Sequence, residues 1–211
     1  MHGDNDERTI HRLEAFSDIV IGFCLAELGL SLVLPKSATD TFSIWESTTF
    51  FMSAFVFISV LWWLHHRTFS TFFVLTMPMV VLNFTLLCAL VLTLYFLEAV
   101  AHVAGMGQDP TLFLTLFVYA FTVVYALMGS MLLAGLLVRR SELPAGEIRW
   151  AIGQLISIAV AVLFGIAAGT YALLNLHGIS VFAAVSAVAI GIAVLRRLLL
   201  PRWLDRALAK Q

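Results

Sequence analysis

Long apolar runs separated by short polar or turn-forming stretches organise this chain from near its start to near its end. Six runs are long enough to cross roughly 30 Å of hydrocarbon as helices, which takes about 20 residues each. They fall near residues 15–34, 44–64, 77–97, 112–138, 150–174 and 179–199. Alternation over about ten residues, the pattern of a transmembrane barrel strand, is not what these runs show. The breaks between them carry ordinary punctuation: Pro35 after the first run, Met77 and Pro78 at the start of the third, and GMGQDP before the fourth. The pattern predicts an all-α membrane protein of six transmembrane helices, forming a single integral membrane domain over residues 1–211.

Charge adds an orientation. Of the 12 Lys and Arg residues, all but Lys36 fall in loops or termini on one predicted side: Arg8, Arg12, Arg67, Arg139, Arg140, Arg149, Arg196, Arg197, Arg202, Arg206 and Lys210. Cytoplasmic loops carry such an excess, so both termini are expected in the cytoplasm and the protein in the cytoplasmic membrane as a multi-pass chain. Composition agrees, with 61% hydrophobic and 12% charged residues and a mean hydropathy of +0.99. The first apolar run is of full spanning length and lacks a small-residue cleavage site, so it is expected to stay as a helix. Cys24 and Cys88 fall within predicted spans without metal-type spacing and read as packing residues. The mixed charges of RRSELPAGEIR, residues 139–149, read as a solvated loop, and no soluble catalytic domain or nucleic-acid partner is expected. The C-terminal RRLLLPRWLDRALAK is amphipathic and basic, suited to contact with anionic lipid headgroups.

Polar chemistry is concentrated in the first three spans. The fifth and sixth are rich in Ala, Gly, Ile and Val, as scaffold helices in close contact are. The first span instead holds Asp18 and Glu27, although a charge at mid-membrane costs about 2.5 to 3.5 kcal/mol on insertion scales. Asp18 follows Arg12 by six residues, about 9 Å of helical rise, too far for direct pairing along the helix. Its expected partners are therefore groups at the same depth on the next span, Arg67, His65 and His66, where LWWLHHRTF also places Trp62 and Trp63 in the interfacial belt. Adjacent histidines on a helix point about 100° apart, and no acidic or Cys cluster accompanies them, so metal ligation is not expected. Glu98 and His102 read as solvated groups near the outer end of the third span.

RLEAFSD, WWLHHRTF and VLNF together resemble the transmembrane protein 175 family, whose prokaryotic members are potassium channels built as tetramers of six-helix subunits. The family's Arg-x-x-x-Phe-Ser-Asp signature is matched by Arg12, Phe16, Ser17 and Asp18; its second-helix Trp and His-His by Trp62, His65 and His66; and its third-helix Asn by Asn83. The resemblance implies that the first helix lines a pore. It also implies a structural polar network of these residues holding that helix from the cytoplasmic side, and a narrow zone at Phe23, Glu27 and Leu30, where the family places apolar groups. Potassium would be the permeant ion, with no cofactor and no resident metal, and the chain would assemble as a homotetramer in contact with membrane lipids.

Periodicity bears on Glu27 independently. Phe23, Glu27 and Leu30 follow i, i+4, i+7 and share one stripe, whereas Asp18, Gly22, Ala26 and Gly29 form another, small enough for helix packing. Glu27 then faces lipid, a neighbouring helix or a water-filled path. A ring of carboxylates along a cation pathway is a known selectivity device. The alternative is a protonated Glu27 hydrogen-bonded to a group such as Asn83, Thr85, Ser130 or Gln154. A proton-coupled transporter using Glu27 is the rival function. An enzyme is not expected, because no nucleophile or metal constellation accompanies Asp18, His65 and His66.

Overall fold

The computed structural model describes residues 2–30 and 41–175, and every regular element in them is an α-helix. They are α1 (His2–Leu30), α2 (Thr41–Phe72), α3 (Met77–Gly105), α4 (Thr111–Arg139) and α5 (Ala145–Asn175). The second to fifth predicted spans each lie inside one of these helices. The first lies in α1 as far as Leu30, and the predicted span at 179–199 falls outside the described residues. α1 begins well before residue 15 and α2 runs on past residue 64. Apolarity limits what can sit in hydrocarbon, whereas backbone hydrogen bonding continues through polar turns such as NDERTIHRLE.

Three described helices, α3, α4 and α5 as far as Leu174, are long and apolar enough to cross a membrane. This is a membrane protein. Its chain divides into two compact units, one ending at Thr71 and one beginning at Phe72. The first holds α1 and nearly all of α2, and the second holds α3 to α5.

In the second unit α4 packs against both α3 and α5. Leu86, Leu90, Val124, Met128, Met131, Leu132 and Ala151 are buried there. α3 stops where the sequence reads GMG: the Gly107 amide donates to the Ala104 carbonyl and the Gln108 amide to the Val103 carbonyl. This paired pattern closes a helix through a left-handed residue, and Gly107 supplies it at φ 70°. Asp109 then caps the next helix, its Oδ1 accepting from the Thr111 amide at 3.0 Å and the Thr111 hydroxyl at 2.5 Å. Near the far end of α4, Gly135 lies against the backbone carbonyl of Phe72, where any Cβ would overlap it. The Phe72 ring stacks on Trp150 of α5, with centroids 5.8 Å apart and planes 19° apart. The small residues read from the fifth span are used as expected at Gly165, which sits against Thr122 of α4.

Candidate functional site

The first unit is an antiparallel hairpin whose register can be followed turn by turn. Glu14 faces His66, Asp18 faces Trp62, and a side chain at Gly29 would rest on the Phe51 ring. Each step up α1 is matched by an equal step down α2. On α2 the buried positions of this unit are Ala54, Ile58, Leu61, Leu64, His65, Thr68 and Phe69, recurring at steps of three and four with Leu64 and Phe69 beside His65 and Thr68. Such spacing keeps one seam of a helix turned inward over many turns. The buried positions of α1 are Ser17, Ile21 and Leu28. Ser17 is 0% exposed, and its hydroxyl donates to the Leu13 carbonyl at 2.9 Å, so the polar group is satisfied within its own helix.

Beside the seam, four side chains join the two helices. The Trp62 Nε1–H donates to Asp18 Oδ1 at 2.8 Å. The Trp62 indole stacks on the His66 imidazole, with centroids 5.5 Å and planes 19° apart. His66 Nδ1 lies 3.2 Å from Glu14 Oε1, an ion-pair distance that misses hydrogen-bond geometry. The second Glu14 oxygen lies 3.7 Å from Nδ1 of His11, one turn earlier on α1. A hydrogen bond from a neutral donor to a carboxylate belongs to the stronger, charge-assisted class.

This geometry revises two expectations and refines a third. Asp18 meets the indole N–H of Trp62, a member of the expected polar network but not among the partners expected for Asp18, and His66 meets Glu14. The reason is register: Glu14 and Asp18 are one turn apart on α1, as His66 and Trp62 are on α2, so two pairs form in succession. The stripe of small residues meets α2 at its two ends, Asp18 on Trp62 and Gly29 on Phe51, while Gly22 and Ala26 between them are exposed. The adjacent histidines do diverge as helix geometry requires. His65 is buried in the seam with Phe69, ring centroids 5.6 Å apart, while His66 turns to the flank. Arg12 is exposed, and Asn83 is fully buried in the second unit. Glu14 is the member that sequence reasoning missed. The signal was present, since Glu14 and Asp18 stand at i and i+4 opposite a Trp and a His with the same spacing.

The side of α1 turned away from the seam is exposed and mostly apolar. Phe16, Ile19 and Phe23 lie there, Phe23 being 72% exposed, and Glu27 is exposed one turn beyond Phe23. The Leu30 side chain lies outside the described residues. No group of three or more His, Cys, Asp or Glu side chains among the described residues is arranged to hold a metal.

Residues 12–94 match the family model described as endosomal/lysosomal potassium channel TMEM175. The matched stretch opens at Arg12 and takes in Asp18, Glu27, Trp62, His65, His66 and Asn83. This part of the chain, from α1 into α3, resembles the TMEM175 family. Solved structures of TMEM175 proteins share the chain's fold. One is a lysosomal potassium-selective channel TMEM175 homolog from Chamaesiphon Minutus, 17% identical, with a TM-score of 0.70 over 90% of this chain and 99% of that one. Another is the T38A variant of the potassium channel MtTMEM175 in complex with a nanobody–MBP fusion protein, 19% identical, with a TM-score of 0.61 over 95% of this chain and 94% of that one. Comparison with curated proteins gives no match. Glu27, inside the matched stretch, is an exposed ionisable residue of α1.

Proposed function

We propose that this chain is a potassium-permeable channel of the cytoplasmic membrane, conducting passively through a pore lined by α1 of each subunit. The observation that carries the reading is one side of α1, where Phe23 and Glu27 stand exposed while Ser17, Ile21 and Leu28 are buried. A carboxylate on such a face is costly against lipid tails. Set around a water-filled axis, the same carboxylates attract cations. One first helix cannot enclose a pore, so symmetry-related copies supply the rest, and a homotetramer of six-span subunits with cytoplasmic termini fits the reading. Phe23, Glu27 and Leu30 then line the narrow zone, and potassium is the permeant ion.

The relatives' description as potassium channels supports the choice of ion. Purified protein in planar bilayers under opposed potassium and sodium gradients is expected to pass a current that reverses close to the potassium equilibrium potential. Saturable, proton-driven flux without such a current would instead point to the proton-coupled transporter.

A further inference from the structure

The exposed face of α1 does not end with its apolar residues. At about 100° per residue, Arg12 stands within about 20° of Ile19 and Phe23 and about 40° from Phe16, at the centre of that face. Ser17, Ile21 and Leu28, the buried positions, lie about 140° to 180° round the helix from it. Arg12 is exposed, and among the described residues its guanidinium has no hydrogen-bond or ion-pair partner. The acids that could neutralise it are turned elsewhere. Asp6, Glu7, Glu14 and Asp18 all lie at least about 120° round α1 from Arg12. Glu14 faces His66 and His11, and Asp18 accepts from Trp62. Arg8, one turn earlier, is also exposed and lies about 40° from Arg12. One face of α1 therefore runs from these arginines at the predicted cytoplasmic end, through Phe16, Ile19 and Phe23, to Glu27, about 22 Å of helical rise beyond Arg12.

We propose that Arg12 forms a cationic collar at the cytoplasmic mouth of the ion path and makes the potassium current rectify inwardly. The inference rests on the reading of α1 as the pore-lining helix, because symmetry then repeats each guanidinium around the axis on the side that Phe23 shares. Like charges around a water-filled opening depress the local concentration of cations, as carboxylates raise it. Ions leaving the cytoplasm meet the collar first, so their supply limits outward current. Ions entering from the other side gather at Glu27 before they reach it, and inward current is less affected. The collar acts through solvent and is screened by salt, the Debye length being about 30 Å at 0.01 M and about 3 Å at 1 M. Rectification is therefore strong in dilute potassium and weak in concentrated potassium.

The test uses the full chain in membrane patches excised with the cytoplasmic face toward the bath, under equal potassium chloride on both sides at about 0.01 M and then at about 1 M. In the dilute solution inward current is expected to exceed outward current, at matched voltages of opposite sign, by at least about twofold. In the concentrated solution the ratio should fall toward one. Arg12→Gln should bring the dilute ratio toward one, whereas Arg12→Lys, which keeps the charge and loses the planar fork, should preserve it. A residue that merely holds α1 in place would lower the melting temperature in both variants without moving that ratio. A current whose ratio is unmoved by Arg12→Gln, or by salt in the wild type, overturns this inference and leaves the pore reading standing. Absence of any wild-type potassium current overturns both. Should Arg12→Gln fail to assemble, the wild-type ratio at the two salt concentrations decides.

Discussion

The two units solve the problem of packing helices in a membrane by different means. In the hairpin of α1 and α2, polar side chains reach from one helix to the other: Trp62 to Asp18, and His66 to Glu14. In the unit of α3 to α5 the hydroxyls of Thr93, Thr115, Thr122 and Ser157 donate to carbonyls four residues back on their own helices, at 2.7 to 2.9 Å. Helix contact there rests on shape, with Gly135 against Phe72, Gly165 against Thr122, and one hydroxyl pair, Tyr119 with Thr170, bridging at 3.1 Å. Hydrocarbon gives apolar side chains no reason to prefer one another over lipid, so close approach through small residues and cross-helix polar contacts are the two available adhesives. The chain uses the first for its scaffold. It keeps the second for the helix whose rotation matters to the proposed ion path.

If that division is real, the largest loss of stability comes from disturbing shape in the second unit. At Gly135 a Cβ already overlaps a backbone carbonyl, which cannot swing aside as the tip of a long side chain can. Gly135→Leu is expected to cost about 3 kcal/mol, the upper range for overpacking, and Gly135→Ala somewhat less. Melting of the purified variants in one detergent measures both. A Gly135→Leu protein as stable as wild type would mean that α4 and the Phe72 segment are not in close contact, and the contrast between the units would lose its best example.

How far these two regions could be read from sequence differs for a physical reason. Spans three to five were legible from apolar length alone, because the requirement that a membrane helix be apolar acts on every residue of it. The importance of Asp18, Trp62 and His66 was also legible, since each is unusual for its depth. Their pairing was not. Which side chain meets which across an antiparallel hairpin depends on register, and a shift of one turn in α2 would have given Asp18 to His66 and left Trp62 at the interface. Glu14 escaped notice for the same reason: a carboxylate in a polar turn looks solvated until the facing helix is in place. The small-residue stripe of α1 was legible only in part: Asp18 and Gly29 meet α2, whereas Gly22 and Ala26 are exposed and Ser17, Ile21 and Leu28 are buried.

An intermediate effect is expected from cutting the hairpin's polar contact. Trp62→Phe keeps an aromatic ring over His66 and removes only the N–H, while Asp18→Ala removes the acceptor. A hydrogen bond to a charged group contributes about 1.5 to 3 kcal/mol, and a half-exposed one belongs at the low end. Each single variant is therefore expected to lose about 1.5 kcal/mol, and the double variant little more than one of them, because both remove the same bond. Ion preference should be unchanged at Asp18→Ala as long as the protein assembles. Altered selectivity with unaltered melting and assembly would move Asp18 from the helix-holding network into the ion path.

The smallest effect on stability is expected at Glu27, and for that reason it sharpens the comparison most. Glu27 is exposed on the outward side of α1, and burial within the protomer gives Glu27→Gln or Glu27→Leu nothing to disrupt. Surface substitutions of this kind change stability by less than about 0.5 kcal/mol. Flux should respond all the same. Glu27→Gln removes the charge that gathers cations and is expected to lower conductance, and Glu27→Leu sets an apolar ring beside Phe23 and should restrict the path further, toward the apolar constriction that the family resemblance implies. Both are measurable as single-channel currents in potassium. Unchanged currents in both variants would take Glu27 out of the pore. A large drop in melting temperature with normal currents would go further and make the residue a packing group, held against a neighbouring copy, in a helix whose ion-facing side lies elsewhere.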